Sequence, residues 1–79
     1  MKLSELEWYP SRASTFRAAC ALPGERVLTI EEYTTIERGI LYQIRVFRGG
    51  IAIEKTHAWL GPLEAQCLLN SYLEGNQWT

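Results

Sequence analysis

A period of two, repeatedly interrupted, constrains this chain most. Between turn signals, apolar and polar residues alternate over short runs. That is the pattern of antiparallel strands with one face in a core. In residues 16–22, Phe16, Ala18, Cys20 and Leu22 share one side, with Arg17, Ala19 and Ala21 on the other. In 26–33, Leu28 and Ile30 oppose Val27, Thr29 and Tyr33. In 40–47, Ile40, Tyr42, Ile44 and Val46 form one row, and Leu41, Gln43, Arg45 and Phe47 the other. In 51–59, Ile51 and Ile53 lead one row, while Ala52, Glu54, Thr56 and Ala58 make the other. β-Branched and aromatic enrichment agrees with strands. Residues 6–9 add a short edge strand that ends at Pro10. The stretch 11–22 also reads as an alanine-rich helix. The Pro23-Gly24 turn directly after it, followed by a strong strand, favours the extended form.

The turns are Pro10-Ser11, Pro23-Gly24, Arg38-Gly39, Gly49-Gly50 and Gly61-Pro62. The Gly49-Gly50 pair suits a tight hairpin turn. The last segment has another period. Pro62 fits the first position of a helix over 62–74, Glu64 suits its first turn, and Gly75 stops it. Ala65, Leu68, Leu69, Tyr72 and Leu73 fall on one stripe, with Cys67 pointing away. The expected fold is therefore α+β, with four or five antiparallel strands in a meander and one C-terminal helix across one face. At 79 residues it should form one domain, spanning 1–79.

Chemistry-bearing groups are few. The chain has no aspartate, one histidine (His57) and two cysteines (Cys20, Cys67). Catalysis needs converging acids, bases or nucleophiles, so the chain reads as no enzyme, with no cofactor and no metal. His57 falls on the side of Ile53, Lys55 and Trp59, and reads as a hydrogen-bonded or surface histidine. Cys20 reads as core packing and Cys67 as an inert exterior thiol. Both read as free thiols in a reducing cytoplasm. No apolar run reaches the ~18 residues of a membrane span, and the start of the chain has no secretory pattern.

Charge is nearly balanced at −1, with both signs interleaved, which disfavours binding driven by a strong field. Glu31, Glu32 and Glu37 read as a small solvated acidic patch. Six of the eight bases are arginine, a residue that grips planar acceptors and sheds water readily. If one side of the sheet lies under the helix, the row Leu41, Gln43, Arg45, Phe47 lines the other. Arg17, Ala19, Ala21, Val27 and Ala52 join it there. The expected partner-binding anchors are Arg17, Leu41, Arg45 and Phe47, on a flat floor suited to a protein partner or a second copy. One alternative is a nucleic-acid site at Arg45, Arg48 and Lys55 around the glycine hairpin, and another is a self-associating structural protein. Trp78, past Gly75, either tucks back onto the domain or docks elsewhere.

The order of signals resembles that of small phage and mobile-element proteins. It runs through Leu6-Glu7-Trp8, Phe16-Arg17-Ala18-Ala19, Pro23-Gly24 into Leu28-Thr29-Ile30, and Leu63-Glu64-Ala65. The resemblance implies a phage-like accessory protein. Several anti-CRISPR proteins are similar in size and in lacking catalytic chemistry, which implies steric blockade of a host defence complex such as a CRISPR effector. Strands before a Glu-Ala helix also resemble the arm-binding domains of phage integrases and double-stranded-RNA-binding domains. Those families place lysines where this chain has Gly61-Pro62-Leu63-Glu64, so their mode of phosphate binding does not carry over.

Overall fold

The computed structural model describes residues 1–12, 15–49 and 52–75. A 3-10 turn at Leu3–Glu5 precedes β1 (Tyr9–Arg12), β2 (Thr15–Leu22), β3 (Arg26–Thr35), β4 (Gly39–Arg48), β5 (Ala52–Leu60) and α1 (Pro62–Leu73). The strands form one antiparallel sheet in the order β1-β2-β3-β4-β5. This is the expected meander with a C-terminal helix.

The alanine-rich stretch is extended. Its alternate residues Ala18, Cys20 and Leu22 lie opposite Ile30, Leu28 and Arg26 of β3. A helix there would place those apolar groups on several sides and leave the long strand β3 half unpaired, so tertiary pairing overrides alanine's helix propensity. The edge strand lies later than expected, at Tyr9–Arg12. Pro10 sits inside it, opposite Phe16, with a register shift just beyond. An outermost strand tolerates proline because one rim of its backbone needs no partner.

The β2–β3 and β3–β4 turns each need a left-handed backbone. Gly24 (φ +77°) is followed by Glu25 (φ +59°) in the loop closed by the pair Leu22 and Arg26. Gly39 (φ +72°) closes the β3–β4 loop, where the Thr35 hydroxyl donates to its carbonyl at 2.6 Å. Gly49 donates its amide to Glu25 O at 3.2 Å, which ties the β4–β5 turn to the β2–β3 turn. The remainder of that glycine hairpin lies outside the described residues, as does Trp78.

The core lies between the sheet and α1. Leu28, Ile30, Ile44, Val46, Leu69 and Tyr72 are its largest fully buried side chains. Each such aliphatic group contributes about 1.5–3 kcal/mol by leaving water. The helix buries Ala65, Leu68, Leu69 and Tyr72, the stripe read from its period, and leaves Cys67 exposed. It lies over β4 and β5. The rest of that side is covered by the N-terminal segment, whose Leu3, Leu6 and Trp8 pack on the core. Gln66 of α1 clamps the segment, accepting from Leu3 N at 2.8 Å and donating to Met1 O at 2.6 Å.

Candidate functional site: the open face of the sheet

Cross-strand partners share a face, so the register defines what the helix leaves uncovered. Three rows cross the sheet there. Arg17, Glu31 and Gln43 form one; Ala19, Thr29, Arg45 and Thr56 the next; Ala21, Val27, Phe47 and Ile53 the third. Thr15, Tyr33 and Leu41 extend the face toward the β3–β4 hairpin.

Glu31 organises the centre. Its Oε1 lies 3.3 Å from Arg17 and 3.7 Å from Arg45, and its Oε2 accepts from the Tyr33 hydroxyl at 2.7 Å. Only 12 % of its side chain is exposed, against 52 % for Arg17 and 39 % for Arg45. The carboxylate is thus the floor, and the guanidinium groups stand above it. The bond to Glu31 raises the Tyr33 pKa, since a phenolate there would lose that bond and meet a second negative charge. Trp59 meets the Tyr33 ring edge-on at 4.9 Å. Tyr33, Thr35, Arg38, Leu41 and Trp59 line a shallow recess of about 180 Å³ at this end.

Arg17, Leu41, Arg45 and Phe47 all lie on this face. Arg17 and Arg45 meet through Glu31, and Phe47 sits between Val27 and Ile53. Leu41 belongs to the aromatic recess, six residues along β4 from Phe47, or roughly 20 Å away. Sequence reasoning missed Ile53 and Trp59, two of the most exposed apolar groups, at 58 % and 49 %. It placed Ala52 on this face instead, with His57 and Lys55 on the side of Ile53. The register shows otherwise. Ala52 pairs with Arg48 on the helix side, and Lys55 and His57 pair with Val46 and Ile44. Two register shifts in β5 change which side successive residues face. A strict period of two cannot reveal them.

The acidic trio does not form a patch. Glu31 lies on the open face, Glu32 accepts from the Tyr42 hydroxyl on the other at 2.8 Å, and Glu37 sits in the β3–β4 turn. Adjacent strand residues point to opposite sides, which separates the first two. The interleaved charges are also sorted by the pleat. Arg12, Arg17 and Arg45 share the open face with Glu31. Arg48 and Lys55 lie on the opposite side from Arg45, and Arg48 bonds Glu54 at 3.1 Å. The three bases expected around the glycine hairpin therefore do not form one surface.

His57 lies beneath α1, with Nε2 at 2.8 Å from the Tyr72 hydroxyl. Burial, and then the Lys55 charge, lower its pKa. Cys20 is half-buried on the core side, where burial raises its thiol pKa. Among the described residues, no three His, Cys, Asp or Glu side chains converge as metal ligands, and no helix is long and apolar enough to cross a membrane. The chain matches no protein-family profile, no curated protein and no solved structure.

Proposed function

We propose that this protein is a small non-catalytic factor that binds another protein through the open face of its sheet. One observation supports the reading above all. Ile53 stays about half exposed beside Phe47 and Val27 at one end of the face and Trp59 beside Tyr33 and Leu41 at the other, while Glu31 holds two arginines at the centre. An apolar floor with pre-oriented arginines is what protein interfaces use for anchors. Preorganisation lowers the entropy lost on docking. The free thiols of Cys20 and Cys67 support a reducing, cytoplasmic setting.

The finer role rests on the resemblance to phage accessory proteins. It is blockade of a host defence complex such as a CRISPR effector, achieved by occupying a surface that the complex needs. Plaque counts on a CRISPR-immune host test it: expression of the chain should restore infection, and equal counts with and without it reject the role.

The surface is tested with the partner captured from host lysate and then purified. Arg45→Ala combined with Phe47→Ala should weaken binding by about 2 kcal/mol or more, roughly thirtyfold in Kd. The unfolding midpoint should stay within error. Equal affinity of the double variant rejects this face. A salt titration against duplex and single-stranded oligonucleotides should show no steeply salt-dependent binding.

A further inference from the structure

The free edges of the sheet are not equally guarded. An unpaired strand edge is a template for another strand, and folded proteins blunt it with proline, bulges or charge. β1 is four residues long and carries Pro10 and a register shift. β5 has two register shifts and carries Glu54 and Lys55. β2 lies outside both descriptions. β1 pairs with Thr15, Phe16 and Arg17, so among the described residues no strand pairs with residues 18–22 of β2 on that side. Those residues, Ala18, Ala19, Cys20, Ala21 and Leu22, contain no charge, no proline and no register shift.

We propose that two copies of this chain join edge to edge through residues 18–22 of β2, in an antiparallel pair about a twofold axis at Cys20.

The stretch is self-complementary. With the axis at Cys20, Ala18 faces the partner's Leu22, Ala19 faces the partner's Ala21, and the two Cys20 residues face each other. Core-side residues then meet core-side residues, so both helices lie on one side of a continuous sheet and both open faces on the other. No bulky or charged side chain enters the joint. The ends are complementary in charge, because Arg17 precedes the free stretch and exposed Glu25 follows it. The antiparallel arrangement brings these opposite charges to the same end of the joint, twice by symmetry.

The register is fixed by what flanks the stretch. Tyr9 already occupies the position opposite Arg17, and the turn begins at Pro23. Moving the axis one residue toward Arg17 drives the partner's Ala21 into Tyr9. Moving it one residue the other way leaves three paired positions instead of five. An axis at Cys20 pairs the whole free stretch. The assembly also closes. Each copy contributes the one unguarded edge among its described residues, and the outer edges are the shifted β5 strands, so a dimer forms and not a fibre. A joint of five residue pairs is small, so association depends on concentration.

Sedimentation velocity over a wide concentration range should show monomer giving way to dimer. Amide hydrogen exchange on the same samples should slow with concentration within residues 18–22 and stay constant in β5. Ala19→Lys with Ala21→Lys, both at exposed positions, puts like charges directly opposite across the joint. That variant should remain monomeric at every concentration, with an unchanged unfolding midpoint. A wild-type chain that stays monomeric throughout overturns the proposal. So does a dimer whose protection falls elsewhere, a test that needs no variant to fold.

Discussion

Two side chains show how a single environment sets chemistry here. His57 is held against Tyr72 in a half-buried site, and its pKa is lowered by burial and by Lys55. The unfolded chain therefore takes up the proton first as pH falls through about 6.5. In that window the unfolded state binds more protons, so stability rises with pH and is lost on acidification. Urea midpoints should fall below neutrality, before the carboxylates titrate. His57→Gln keeps a hydrogen-bonding group but cannot charge, and it should flatten that slope. Equal slopes in both chains would remove the assignment. Glu31 is the second case. Glu31→Gln takes the negative charge from beneath Arg17 and Arg45. Because both guanidinium groups are partly exposed and screened by water, folding stability should change by less than about 1 kcal/mol. The Tyr33 phenol, however, should titrate at lower pH, because its bond to a charged carboxylate holds it up. Ultraviolet difference titration reads this directly.

Among the elements, legibility followed regularity. The helix was readable because Pro62, Glu64 and Gly75 mark its ends and its apolar stripe is continuous. Strands β2 to β4 were readable because pairing is unshifted across them. Two elements were not. In β5, the register shifts move Ile53 and Trp59 to the open face, and only the partner strand reveals such shifts. At the N-terminus the period suggests a strand over 6–9, of which only Tyr9 belongs to β1, and the turn at Leu3–Glu5 before it carries no clear signal, although Leu3 and Leu6 are three residues apart and suit a helical turn. Its place is set by Gln66, a polar residue on α1 whose amide serves both a donor and an acceptor of the segment. Nothing in a single sequence links residues that far apart. Gln66→Ala leaves the Leu3 amide without its acceptor, and should cost about 1–2 kcal/mol in a urea melt. Exchange of the Leu3 amide should quicken more than that of the β3–β4 ladder.

At the scale of the molecule, the sheet has one covered side and one open side, and the cover is shared by α1 and the N-terminal segment. A chain of 79 residues has little stability in reserve. The two sides should therefore respond in opposite ways to loss of apolar surface. Removing residues 1–6 takes Leu3 and Leu6 off the core, together with both bonds to Gln66. Partial burial of two leucines is worth about 2–4 kcal/mol, so the shortened chain should melt well below the full one and bind an apolar dye such as ANS. Ile53→Ser with Trp59→Ser removes comparable apolar surface from the open side, where both groups are about half exposed. That variant should keep most of its stability and lose affinity for the partner. If the serine variant unfolds as readily as the shortened chain, the open face is holding the monomer together, and the surface assigned to recognition is instead part of the core.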